Sequence, residues 1–270
     1  MNPIFLPVFQ RAIHIGPLTI HFYALAYIAA LLIGWRLVRY LASRPPVAAT
    51  SEQVDDFLTW ATLGIILGGR LGYVLFYQPG YYFTHPKEIV AVWDGGMSFH
   101  GGFLGVTIAI IWFCFKHGIN ILAFADRIAV AVPIGLFLGR CANFINGELW
   151  GRPAPAWFPL AMVYPAAGPL PRYPSELIEA CLEGVTLFIV LVLSSRSECL
   201  RRRAGTLTGM FVAGYGIARM IGECFREPDP FLGFLPFGTT MGQLLSIPMV
   251  FAGLGILWFA GTRPRLTDKA

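Results

Sequence analysis

The chain has 270 residues, 56% of them hydrophobic and only 13% charged, with a formal net charge of +5 and a mean hydropathy of +0.63. A soluble domain carries roughly 25% charged residues, so this composition excludes an ordinary water-soluble enzyme. The basic excess has no soluble surface on which to gather, which excludes nucleic-acid binding and leaves membrane topology and attraction to anionic lipid as its meaning.

The first ten residues carry no positive charge and are broken by Pro3 and Pro7. That is unlike a cleaved signal peptide, and the N-terminus is expected to stay in the mature chain. Apolar stretches near the roughly 20 residues that a spanning helix needs follow at 18–37, 57–76, 103–115, 121–138, 177–193, 207–221 and 241–260. They predict an all-α, polytopic integral membrane helical bundle of about seven transmembrane helices. Six or eight remain compatible, because the third and sixth stretches are short and borrow flanking glycines and polar residues. No repeat, composition shift or long polar segment marks a boundary, so residues 1–270 read as a single integral membrane domain with a loop insert at approximately 140–176.

With seven spans, one set of helix ends holds Arg36, Arg39, Arg44, Lys116, Arg196, Arg201, Arg202, Arg203, Arg263, Arg265 and Lys269, and the other holds Arg11, Lys87, Arg140, Arg152, Arg172 and Arg226. Basic residues are retained on the cytoplasmic side. The N-terminus is therefore expected in the periplasm and the C-terminus in the cytoplasm. Gly64, Gly68 and Gly72 recur on one face of the second span, and Gly135 and Gly139 repeat the spacing in the fourth, as in closely packed membrane helices. Cys114, Cys141, Cys181, Cys199 and Cys224 form no CxxC pair and signal neither a disulfide framework nor a metal site; they read as small apolar fillers.

The chemistry lies in polar residues at the outer ends of the spans. Arg140, Asn143, Asn146 and Glu148 follow the fourth stretch, and Tyr215, Arg219, Glu223 and Arg226 form one stripe of the sixth if its helix continues. A charge at hydrocarbon depth costs about 2.5 kcal/mol or more and is rarely placed there without a use. Arg219 and Glu223 could simply neutralise each other. Counted along the stripe and Arg140, however, arginines outnumber acids, which points to an anionic ligand. His100 sits between the pairs Gly95-Gly96 and Gly101-Gly102, glycines that let a backbone bend and approach a ligand. A lone histidine at a helix entrance is more often a hydrogen-bonded fixture, but histidine is also the usual base near neutral pH, and nearness to the arginine cluster would reverse those odds. Arg70, inside the second span, suits a helix-pairing or a site role equally. His14, His21, His85 and His117 read as interfacial or loop residues.

Together these residues carry a resemblance. The chain resembles the phosphatidylglycerol:prolipoprotein diacylglyceryl transferases in His21-Phe22-Tyr23-Ala24-Leu25, Gly69-Arg70-Leu71-Gly72-Tyr73 and Gly95-Gly96-Met97-Ser98-Phe99-His100-Gly101-Gly102. The likeness continues in Gly139-Arg140 through Glu148 to Gly151, Tyr173-Pro174-Ser175, Tyr215-Gly216 with Arg219 to Pro228, and Met241-Gly242-Gln243-Leu244-Leu245-Ser246. The family pattern often has His before Pro-Ser and Gln after it, where this chain has Tyr173 and Glu176.

The resemblance implies a multi-pass enzyme of the bacterial inner membrane that moves diacylglycerol from phosphatidylglycerol to the lipobox cysteine of a prolipoprotein signal peptide. The products are a thioether and glycerol 1-phosphate. A thiol reacts as its thiolate, and a phosphate-ester leaving group needs positive charge where negative charge develops. Arg140 and Arg219 are accordingly expected to hold the phosphate, since the guanidinium fork matches its oxygens. Asn143 and Glu148 would position the headgroup or orient the arginines. Tyr23, Gly151 and Glu223 join that lipid-binding set, with Arg70, Asn146, Tyr215 and Arg226 in support and His100 as the base. The reaction calls for no metal and no other cofactor, because the donor is activated through its phosphodiester. An anion transporter would also use arginines on broken helices, and a lipid-phosphate hydrolase would use the same groups with water in place of a thiol.

The orientation is directly testable. With single cysteines introduced at positions 152 and 202, an impermeant thiol reagent added to intact cells is expected to label position 152 and spare 202; the reverse pattern inverts the topology.

Overall fold

The computed structural model describes residues 4–7, 12–15, 18–155, 157–228, 233–235 and 238–267. Arg11 and Lys269, both used in the loop-charge comparison, lie outside these residues. In chain order the elements are β1 (Ile4–Phe5), β2 (Ala12–Ile15), β3 (Leu18–His21), α1 (Phe22–Ala42), α2 (Ser51–Phe76), α3 (Pro79–Thr84), α4 (Phe99–His117) and α5 (Ile121–Asn146). They continue with β4 (Met162–Val163), α6 (Ser175–Glu179), a π-helical segment (Ala180–Thr186), α7 (Leu187–Arg196), α8 (Glu198–Arg201), α9 (Thr206–Gly222) and α10 (Met241–Thr262).

Five helical segments are long and apolar enough to cross a membrane among the described residues: Phe22–Ala42, Ser51–Phe76, Ile121–Asn146, Ser175–Arg196 and Met241–Thr262. The two expected spans outside this set correspond to α4 and α9, the pair whose apolar stretches are short. Leu32, Phe115, Leu193, Phe251 and Trp258 are exposed on these helices, as on a surface that faces lipid. The protein is a mostly helical, multi-pass membrane protein.

Several boundaries differ from the hydropathy reading. The first helix begins at Phe22 because Leu18–His21 pairs antiparallel with Ala12–Ile15. β1 and β4 form a second two-stranded pair, in parallel, so the architecture is not purely α. The polar string after the fourth span does not end the helix: α5 continues to Asn146, and Gly147, at φ 63°, turns the chain out of it. The loop insert therefore starts after Arg140 and Asn143, which stand on a helix. Arg226 lies past the end of α9, in a β-bridge with Gly151, so the stripe does not continue to it.

The chain divides into two compact units, Val38–Ala125 and the remainder. In the first, α2 packs on α4 along a glycine seam. A Cβ added to Gly68 would lie 2.8 Å from Gly105 Cα, and one added to Gly72 would lie 2.6 Å from Gly101 Cα. The backbones are in contact, which the recurrent glycines of α2 led us to expect. The partner glycines are a finding: Gly101 lies in the first turn of α4 and packs on α2, whereas Gly95 and Gly96, at φ 82° and 75°, do bend the chain. Ser98 starts α4, its Oγ accepting from Gly101 N at 3.2 Å and its N donating to Gly69 O at 2.8 Å.

In the larger unit α9 packs on α10, with Gly253 against Ala213 and Gly216 against Val250. The second glycine pair is not a seam: Gly135 leaves ordinary space beside Ala30, and a Cβ on Gly139 would meet nothing within 4 Å. α9 has no side-chain cap of its own. Instead the fully buried Asp126 of α5 accepts from Gly205 N at 2.9 Å, Thr208 N at 2.8 Å and Thr208 Oγ1 at 2.7 Å. Those amides are the donors a helix start leaves unsatisfied. Arg201 does the opposite service at the end of α7, donating to the carbonyls of Ser195 and Arg196 at 2.6 and 2.9 Å. The cysteines are not uniformly buried fillers: Cys114 is buried, while Cys181, Cys199 and Cys224 are exposed, and all five are free.

Gly68→Leu would force a side chain into backbone that has none to yield, and is expected to cost at least the ~1–3 kcal/mol typical of overpacking. Thermal unfolding in detergent measures it; an unchanged Tm contradicts a close-packed seam.

Candidate active site

Three helical segments of the larger unit build the site. α5 supplies Arg140, the α6–π–α7 span supplies Glu179 and Glu183, and α9 with its C-terminal turn supplies Tyr215, Arg219, Glu223 and Arg226. Arg140 Nε lies 2.9 Å from Glu179 Oε2, and its Nη2 lies 3.2 Å from Glu183 Oε2. Arg219 Nη1 lies 3.0 Å from Glu179 Oε1 and 3.6 Å from Glu183 Oε1, while Nη2 pairs closely with Glu223. Arg226 Nη1 stands 3.7 Å from Glu179 Oε2. Glu223 also accepts from Thr240 Oγ1 at 2.7 Å.

The two central glutamates stand in an apolar stretch and were not among the site residues expected from sequence. Their signal was available as a pair of acids four residues apart inside a predicted span. Their presence corrects the charge count: the guanidiniums of Arg140, Arg219 and Arg226 meet the carboxylates of Glu179, Glu183 and Glu223, and among the described residues of the cluster the expected surplus of positive charge is absent. Local backbone makes the meeting possible. The π-helical turn Ala180–Thr186, an irregularity common at functional sites, carries Glu183, and Gly184 and Gly222 allow Phe137 and Glu179 to pack against their bare Cα atoms. The accessible side of the cluster is cationic, since Arg140 and Arg219 keep 15% of their side-chain surface while Glu179 and Glu183 keep 1% and 0%.

The polar string folds partly on itself. Glu148 Oε1 accepts from Asn143 Nδ2 at 2.9 Å and Asn146 Nδ2 at 3.2 Å, so orienting the arginines falls to Glu179 and Glu183. Gly151 sits where the loop crosses two other segments: its N donates to Tyr173 O at 3.0 Å, and a Cβ would lie 2.6 Å from Phe225 O. Arg152 secures the same crossing by donating to the carbonyls of Arg226 and Glu223 at 2.8 and 3.0 Å. Glu176 accepts at 3.0 Å from the hydroxyl of fully buried Tyr164, tying the loop to α6. Burial, with that carboxylate beside it, pushes the Tyr164 phenol well above the usual tyrosine range. Tyr23, in the first turn of α1, packs its ring on Tyr27 at 5.2 Å.

His100 and Arg70 belong to the other unit. His100 is an exposed residue in the first turn of α4. Buried Arg70 resolves its ambiguity locally. Its Nε donates to Ile89 O at 2.8 Å, Nη2 to Glu88 O at 2.6 Å, and Nη1 to Gly95 O and Gly96 O at 2.5 and 3.2 Å, while the guanidinium lies over the Tyr82 ring. It holds together the segment that leads into His100.

A sequence profile described as prolipoprotein diacylglyceryl transferase matches residues 10–259. The chain belongs to the prolipoprotein diacylglyceryl transferase family. Among curated relatives named phosphatidylglycerol--prolipoprotein diacylglyceryl transferase, the protein of Acidiphilium cryptum (strain JF-5) is 64% identical, the match covering 96% of this chain and 93% of the relative. That of Gluconacetobacter diazotrophicus is 62% identical over 97% of this chain and 92% of its own, and that of Gluconobacter oxydans 55% over 97% of each. The resemblance carried by the motifs is thus a family relationship along nearly the whole chain.

Within this transferase fold, Glu179→Ala would strip a carboxylate shared by three arginines. Leaving buried charge uncompensated typically costs about 3–5 kcal/mol. Glu179→Ala is expected to lower Tm in detergent far more than Glu198→Ala at the exposed Arg202 pair; equal effects would mean the cluster is solvated like a surface.

Proposed function

We propose that this chain transfers the diacylglyceryl group of phosphatidylglycerol to the thiol of a lipobox cysteine in a prolipoprotein signal peptide. The sulfur forms a bond to the terminal glyceryl carbon of the diacylglyceryl group. The C–O bond to phosphate breaks, and its electron pair leaves with glycerol 1-phosphate. The reading places one membrane domain of seven spans in the bacterial inner membrane, N-terminus periplasmic and C-terminus cytoplasmic, with the site toward the periplasm.

Arg140 and Arg219 hold the phosphodiester and stabilise the charge that develops on the leaving phosphate. The observation that carries this assignment is the polarity of the cluster: two guanidiniums from different helices keep accessible surface while the carboxylates they share are sealed behind. Asn143, Glu148, Tyr23, Gly151 and Glu223 shape the headgroup site, supported by Asn146, Tyr215 and Arg226. Arg70 supports the entry to α4. His100 takes the thiol proton. Family membership and the names of the curated relatives support the same substrates.

The test is turnover of phosphatidylglycerol with a lipobox peptide by the purified protein. Thioether product is expected; free diacylglycerol instead would mean hydrolysis. Arg140→Lys and Arg219→Lys should each lose most of the rate, because a point charge does not reproduce a bidentate fork. His100→Gln should fall by about 10²- to 10⁴-fold, the usual worth of a general base. Near-normal turnover in the lysine variants removes the phosphate clamp, and a histidine variant within a few-fold of wild type makes His100 a fixture.

A further inference from the structure

Among the charged groups of the cluster, Glu183 is held differently from the rest. Glu179 sits 2.9 and 3.0 Å from the two central arginines and packs on Gly222, and Glu223 is bonded to Arg219 and Thr240. Glu183 makes longer contacts to these arginines, 3.2 and 3.4 Å to Arg140 and 3.6 Å to Arg219, and its buried Oε1, like that of Glu179, has no hydrogen-bond partner among the described residues. It also rides on the π-helical turn, an irregularity frequent at functional sites.

The groups that face Glu183 are Arg140 from α5, Tyr215 and Arg219 from α9, and Glu179 from its own span. With Glu223 and Arg226 added, and Glu176 beside Glu179 and Arg226, the carboxylates are at least as many as the guanidiniums, so the cluster holds no spare positive charge for an entering anion. A phosphodiester is an anion, and an unbalanced extra charge in a buried site is costly. Resting on the reading of Arg140 and Arg219 as the phosphate clamp, we propose that Glu183 is the internal stand-in for the lipid phosphate. The entering phosphodiester takes its place between the two arginines, and Glu183 leaves that pairing as the neutral acid, so that headgroup capture takes up a proton. The proton comes from solvent, no covalent bond changes, and the cluster keeps its total charge. Glu183 is in this sense a positioning residue: it holds the guanidiniums spread and oriented until the lipid arrives.

The experiment mixes the detergent-solubilised protein with phosphatidylglycerol in weakly buffered solution containing a pH indicator, with phosphatidylcholine as the control lipid. In the range where Glu183 is ionised in the free protein and protonated in the complex, the wild type should take up about one proton per phosphatidylglycerol bound, and its Kd should weaken by up to about tenfold per unit rise in pH. Glu183→Gln, which already carries the neutral shape, should take up none, lose the slope, and bind at high pH as tightly as the wild type does at low pH. No uptake by the wild type with pH-independent binding from pH 5 to 9, or an unchanged slope in Glu183→Gln, overturns the proposal. Should the variant fail to fold, the wild-type proton count decides alone. Arg140→Ala and Arg219→Ala separate the two readings. Unchanged lipid affinity in both removes the clamp itself, while lost affinity in both alongside a wild type that takes up no proton removes only the role of Glu183.

Discussion

Everything at the centre of this protein depends on keeping opposite charges together where water is scarce. A guanidinium on α5 and another on α9 share two carboxylates on the span between them in sequence. Each of these ions alone would cost several kcal/mol to bury, so no helix can present its charge without the others in register. The constraint reaches outward. Gly222 and Gly184 remove side chains where the acids and Phe137 must approach, the π-helical turn adjusts the facing of Glu183, and Thr240 and Gly242 seat Glu223 at the start of α10. Charge pairing and helix packing are here one network, and a change at either is felt by both.

Hydropathy read the helical, membrane-spanning character correctly because lipid imposes it on every residue of a span. It read the ends poorly. Residues 18–21 are apolar enough for lipid yet pair as a strand, and Arg140 and Asn143 are polar enough for a loop yet remain helical. The arginines, the carboxamides and His100 were visible because each stands in a distinctive string. Glu179 and Glu183 were not, since two acids disappear in the average of a strongly apolar window. The partners of Arg70 could not be read at all: they are main-chain carbonyls, which every residue carries.

Arg70 and the cluster arginines illustrate two uses of one side chain. In the smaller unit a guanidinium spends its donors on four carbonyls between Glu88 and Gly96, and the result is a shaped segment. In the larger unit Arg140 and Arg219 spend donors on carboxylates, which on the proposed reading an anion of similar geometry replaces. Carbonyls tied into a backbone do not leave, whereas carboxylates on side chains can rotate or protonate. The kind of acceptor, more than the arginine, distinguishes scaffold from site.

The buried carboxylate of Asp126 has a consequence for how the protein is made. It satisfies the amides that open α9, yet it belongs to a helix synthesised long before Gly205 and Thr208 emerge. When α9 is made, the acceptor for its first amides is already present on α5, and the helix that brings Arg219 is received at its first turn by the helix that carries Arg140. Chain order thus favours assembly of the charged cluster from a helix pair already joined at the opposite end, so the most costly groups to bury meet last, along a track already laid.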